Sequence, residues 1–136
     1  MAPREVLSDG AGGPGLYADT DMLLALIKGD DWLADRAEKI YDERGDELWT
    51  SQWTLVELML VAYREGREAF TTVNAAKRLI DVRGDVETVL AAASFVDEAG
   101  MTPLDALHLV CAGDAPIVSS DGDFDGHTER VPLEDD

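Results

Sequence analysis

The stretch LWTSQWTLVELMLVAY, residues 48–63, decides how the chain is read. Leu48-Trp49-Thr50 is a short apolar run with β-forming residues, so it predicts a strand. Ser51 stands where a helix N-cap is wanted, and residues 52–64 follow as a helix. A strand that runs straight into a helix is half of a βαβ unit. Glu57 is the single charge between Ser51 and Tyr63. Apolar residues flank it on nearly every side, so this helix is expected to be largely buried. A buried carboxylate without a partner costs several kcal/mol, which leaves protonation, an ion pair with arginine, an edge position or a bound cation.

The same alternation extends in both directions. Residues 16–18 (Leu-Tyr-Ala) form a strand ending in Asp19-Thr20-Asp21, and residues 22–27 form a helix. Residues 32–44 carry apolar positions at helical spacing, with Gly45 as the stop. Downstream lie helices over 68–80 and 86–99, with a minimal strand over 81–83 between them. Thr102-Pro103 opens a helix that runs to Ala112. Residues 117–119 form a strand that enters an acidic loop, and Val131 starts an edge strand. Short strands alternating with helices imply a parallel sheet covered by helices on both faces. Residues 1–15 are rich in glycine, have no apolar period, and are read as a flexible leader; residues 16–136 are read as one domain.

A chain of 136 residues holds one domain with a genuine core. Acids outnumber bases 29 to 11, giving a net charge of −18. Such self-repulsion fits a cytoplasm of high ionic strength, because at about 1 M salt the Debye length is only about 3 Å. A basic partner is the rival explanation. Binding to DNA or to an anionic membrane through a basic patch is excluded by the same balance. Cys111 is the sole cysteine and, in its apolar pattern, is expected to be a buried structural thiol. No apolar run reaches the roughly 18 residues of a membrane span, and no secretory signal is visible. The expected location is the cytoplasm.

Further acids stand at the ends of the elements. Asp19 and Asp21 follow one strand; either capping of the next helix or ligand chemistry accounts for them. Asp105 is the third residue of its helix, where a capping box with Thr102 is the structural alternative. Leu104, Leu107, His108 and Cys111 form one stripe, which places His108 at the core or its rim. Asp121 and Asp123 follow the strand over 117–119; an Asx turn explains one of them. Phe124 is expected to anchor that loop, and Asp125 to be solvated. If these ends converge, four or five carboxylates meet in one cleft, and like charges so close call for a cation. An oxygen-only ligand set suits Mg²⁺ or Mn²⁺. No zinc-type Cys/His cluster, glycine-rich phosphate loop or Ser-His-Asp set is present.

The order and spacing of these motifs resemble the PIN domain, in particular the VapC-type ribonuclease toxins of toxin–antitoxin pairs. The pieces are Asp19-Thr20-Asp21, Ser51-x-x-Thr54-x-x-Glu57, Asp105-Ala106-Leu107-His108 and Ser119-x-Asp121-x-Asp123-Phe124, and they span about residues 16–131. The resemblance implies a three-layer α/β/α sandwich with a central parallel sheet and catalytic acids Asp19, Glu57, Asp105 and Asp121. These four together with Asp123 would be the metal ligands, and Asp21 is a lesser candidate. Ser119 stands where the family usually carries threonine. The implied activity is metal-dependent endoribonuclease cleavage with Mg²⁺ or Mn²⁺, one or two ions, leaving a 5′-phosphate and a 3′-hydroxyl. RNA would be the substrate, a cognate antitoxin the protein partner, and a homodimer the assembly. Arg36, Arg64, Arg67, Arg78 and Arg83 could form a phosphate-contacting rim or could be solvated helix faces.

Two other readings stay open on the sequence. One is a PIN-like scaffold that binds RNA or a partner without cutting. The other is an aspartate-nucleophile phosphatase, whose DxD opening Asp19-Thr20-Asp21 resembles, although Leu23 breaks the usual continuation and no lysine-bearing third motif is found.

Overall fold

The computed structural model describes residues 15–30 and 32–134. The expected leader lies outside the described residues except for Gly15. The elements run β1 (Leu16–Tyr17), α1 (Thr20–Lys28), α2 (Ala34–Arg44), a 3₁₀ turn (Gly45–Glu47), β2 (Leu48–Ser51), α3 (Gln52–Glu65) and α4 (Ala69–Leu79). They continue through β3 (Asp81–Arg83), α5 (Val86–Ala99), α6 (Pro103–Ala112), β4 (Ile117–Ser119), a second 3₁₀ turn (Gly122–Phe124) and β5 (Arg130–Pro132). Every strand pairing is parallel. This is the α/β sandwich expected, with helices forming the crossovers among β1, β2 and β3 and a loop with a 3₁₀ turn joining β4 to β5.

Among the described residues the strands form two parallel sheets with no hydrogen-bonded pairing between them, where one central sheet was expected. β1-β2-β3 form one, with Leu16 opposite Leu48 and Trp49 opposite Asp81. β4 and β5 form the other, with Val118 opposite Val131. β1 is only two residues long, which limits the pairing it can offer on a second side.

The core is a single cluster. Leu23 of α1, Leu55, Leu58 and Met59 of α3, Val73 of α4, Val89 and Ala93 of α5, and Ala106 of α6 all belong to it. On α3 the buried residues are Thr54, Leu55, Leu58, Met59 and Ala62, a stripe at i, i+3/4 and i+7. Trp53 and Glu57 fall on the opposite face and are exposed. The helix is thus buried along one stripe rather than largely, and of the alternatives open for Glu57 the edge position is the one realised. Apolar residues around a charge in the sequence say nothing of direction; the 3.6-residue period turns Glu57 away from the stripe.

Two further expectations are overturned. Cys111 is exposed, and so is His108. The buried face of α6 is carried by Pro103, Ala106 and Leu109, so the stripe through Leu104, His108 and Cys111 points outward. Capping also differs in detail. Ser51 and Thr102 occupy N-cap positions without a side-chain cap bond. The N-terminus of α4 is capped from another helix: Asp97 of α5 accepts from the backbone N–H groups of Ala69 (2.8 Å) and Phe70 (2.9 Å). No helix among the described residues is long and apolar enough to cross a membrane.

Candidate metal centre

Asp105, Asp121 and Asp123 come together. One carboxylate oxygen from each lies within 4.8 Å of the others. Asp105 enters from the first turn of α6, where Pro103 fixes the helix start. Asp121 and Asp123 come from the loop after β4. That loop is shaped by its own side chains: Ser119 Oγ accepts from the Asp121 N–H (2.9 Å), and Asp121 Oδ1 accepts from the Asp123 N–H (2.9 Å). The Asx turn anticipated for one of the two is thus formed at Asp121, and only Oδ1 is engaged in it. Phe124 is buried and anchors the loop as expected.

Arg130 of β5 braces the same loop from behind. Its Nε donates to Asp125 Oδ1 (2.8 Å) and its Nη2 to Asp125 Oδ2 (3.2 Å), while Nη1 donates to the Ser119 carbonyl (2.9 Å). Nη1 also reaches Glu134 (Oε2 at 3.2 Å). Hydrogen bonding to Arg130 holds the Asp125 carboxyl below its ordinary range, against the opposing effect of burial. Asp125, expected to be solvated, is exposed but paired. Nothing in the residue pattern around Arg130 marked it for this role.

Asp19 and Glu57 stand outside the group of three. Asp19 is the N-cap of α1 and accepts through Oδ1 from the Asp21 N–H (3.0 Å), so the capping alternative is realised. Glu57 Oε1 accepts from the Thr20 hydroxyl. Thr20 is the residue after Asp19, so one short segment ties the end of β1 to the middle of α3. Asp21 is exposed on the first turn of α1. Among the described residues no arginine neutralises Glu57, and no ion pair reaches Asp19, Glu57, Asp105, Asp121 or Asp123. Nor is the Thr102–Asp105 capping box made.

The anticipated arginine rim is not assembled as a unit. Arg67 pairs with Glu65 (3.4 Å) and Arg83 with Asp81 (3.3 Å). Arg83 also lies over the Trp49 ring, 4.1 Å from its centroid.

The donor set suits a hard divalent ion. It is oxygen only, partly exposed, and without a basic side chain in ion-pair contact. Two like unit charges 4 Å apart repel by about 4 kcal/mol at an effective dielectric near 20. A divalent cation among them adds attractions that outweigh that repulsion.

A family model for the PIN domain matches residues 16–128. No curated protein and no solved structure matches the chain.

Proposed function

The chain belongs to the PIN-domain family, whose members are generally metal-dependent nucleases, and from that premise we propose that it is an endoribonuclease acting as the toxin of a toxin–antitoxin pair. The observation that carries the nuclease reading is the convergence of Asp105 with Asp121 and Asp123. Asp105, Asp121 and Asp123 would hold Mg²⁺ or Mn²⁺, with Asp19 and Glu57 completing the acid set from the β1 side. A bound ion of this kind supplies an activated water and neutralises charge at a scissile phosphate.

The chain's own residues do the positioning. The Ser119 and Asp121 turn bonds fix the loop, Arg130 braces it, and Asp105 is set by the start of α6. Thr20 orients Glu57. A protein of net charge −18 repels RNA at long range, so binding depends on local neutralisation at the carboxylates and on screening by salt. The substrate is RNA, the protein partner a small antitoxin, the assembly a homodimer and the compartment a salt-rich cytoplasm.

The test is cleavage of RNA by the purified chain with Mn²⁺, against the Asp105→Asn and Asp121→Asn variants. Loss of cleavage in both variants supports the assignment. Undiminished cleavage by both places the activity elsewhere or in a contaminant. The toxin role is tested separately, by growth arrest on expression and rescue by the product of the adjacent short reading frame.

A further inference from the structure

The carboxyl ends of β1, β2 and β3 carry an open cavity of about 270 Å³, lined by Tyr17, Trp49, Ser51, Trp53, Arg83 and Gly84 among others. Two of its aromatic rings are turned to solvent, Trp53 at 70% and Tyr17 at 51% exposure. The third, Trp49, is buried and holds the wall together. Tyr17 meets it edge to face at 4.9 Å and 87°, and the Arg83 guanidinium lies 4.1 Å above its ring. The Tyr17 hydroxyl is 2.7 Å from Ser51 Oγ. The Trp49 Nε1–H is buried without a hydrogen-bond partner among the described residues, an unmet donor in the same wall. Gly84 has φ +114, and a Cβ there would run into the Gln52 amide, whose Oε1 accepts from the Asp85 N–H (2.9 Å).

This cavity lies on the side of Asp19 and Glu57. Tyr17 precedes Asp19 by two residues. Trp53 and Glu57 are four apart on the exposed face of α3, which puts their Cβ atoms about 5–6 Å apart. Charge then decides what the cavity can offer a polyanion. With 11 bases against 29 acids, phosphate contacts supply little affinity, and high salt weakens them further. Stacking of bases on aromatic rings is a source of affinity that does not depend on net charge.

We propose that this cavity takes one unpaired RNA base beside the scissile phosphate, stacked on Trp53 and edged by Tyr17, with Arg83 as the nearby cation. The proposal rests on the ribonuclease reading for its substrate. It names a base-binding subsite and a stacking residue, Trp53, outside the carboxylate set.

The experiment measures fluorescence anisotropy of a labelled single-stranded RNA decamer with the Asp105→Asn chain, at 0.15 and 1 M KCl. Adding Trp53→Ala should weaken binding about five- to 150-fold, at both salt concentrations. Trp53→Phe should restore most of it. Decamers with one abasic position, scanned along the strand, should include one whose binding is insensitive to Trp53→Ala. Equal binding of parent and Trp53→Ala overturns the subsite. So does a change of oligomeric state on size exclusion with RNA affinity unchanged, which would make this face a contact between copies of the chain. Cleavage of the same RNA by the unsubstituted chain is followed in parallel. Failure there counts against the ribonuclease reading, whereas normal cleavage with unaltered Trp53→Ala binding counts against the subsite alone.

Discussion

Arg130 grips Asp125 with two parallel hydrogen bonds, Nε to Oδ1 at 2.8 Å and Nη2 to Oδ2 at 3.2 Å. The same guanidinium takes the Ser119 carbonyl. Both partners bracket the loop that carries Asp121 and Asp123, so β5 fixes the loop from behind while the carboxylates face α6. Arg130→Gln keeps a polar side chain but loses the fork. Mn²⁺ affinity should fall about ten- to a hundredfold, the usual cost of losing a group that orients ligands. Calorimetric titration with Mn²⁺ reads this directly; unchanged affinity would show that the loop needs no brace.

Thr20 makes a similar prediction for the other side of the site. It is buried and its hydroxyl donates a hydrogen bond to Glu57 Oε1. Thr20→Val keeps the shape and removes the donor. Cleavage of RNA should drop about tenfold or more, and Thr20→Ser should recover it. Equal rates for the unsubstituted chain and Thr20→Val would mean that Glu57 needs no orientation from Thr20.

Acid sensitivity should show at the start of α5. Asp85 accepts from the Thr88 hydroxyl (2.8 Å) and the Thr88 N–H (3.1 Å). Those bonds, the hydroxyl's first, hold its carboxyl below the ordinary aspartate value of 3.8. A carboxylate with a lowered folded-state pKa adds stability that is fully present above 3.8 and disappears as pH falls through the lower value. Asp85→Ala should therefore melt at a lower temperature than the unsubstituted chain at pH 7. The gap should narrow below about pH 4. A gap independent of pH from 7 to 2 would contradict the cap.

Leu55 tests the direction of α3. It is fully buried, two positions before exposed Glu57. Leu55→Ala should cost about 2–5 kcal/mol in urea unfolding. A cost below about 1 kcal/mol would mean that the stripe through Leu55, Leu58 and Ala62 does not face the core.

Most of the fold was legible because strands and helices here have clean boundaries. Gly66 and Gly100 end helices in the left-handed conformation, and Pro103 begins one. Residues 86–99 and 117–119 match their predicted bounds. The division of the strands into two sheets was not legible, since pairing is decided by partners far away in the chain. At the site, Asp121 and Asp123 could be read from a strand running into an Asx turn closed by Phe124. Glu57 has apolar neighbours that leave burial and an edge position open, and only its helical phase selects the edge. Its actual partner, Thr20, lies 37 residues away, and no local pattern links the two. His108 and Cys111 were misplaced for the related reason that an apolar stripe has two edges. Arg130 was invisible because its role depends on β5 lying beside β4.

The central claim is that Asp105, Asp121 and Asp123 share a divalent ion. Calorimetric titration of the purified chain with Mn²⁺ tests it most directly, alongside Asp105→Asn and Asp123→Asn. Saturable binding that both substitutions abolish, while the melting temperature without metal stays as high or rises as repulsion is relieved, is the predicted result. Binding of equal strength in all three proteins, or no saturable binding in the unsubstituted chain, would contradict it.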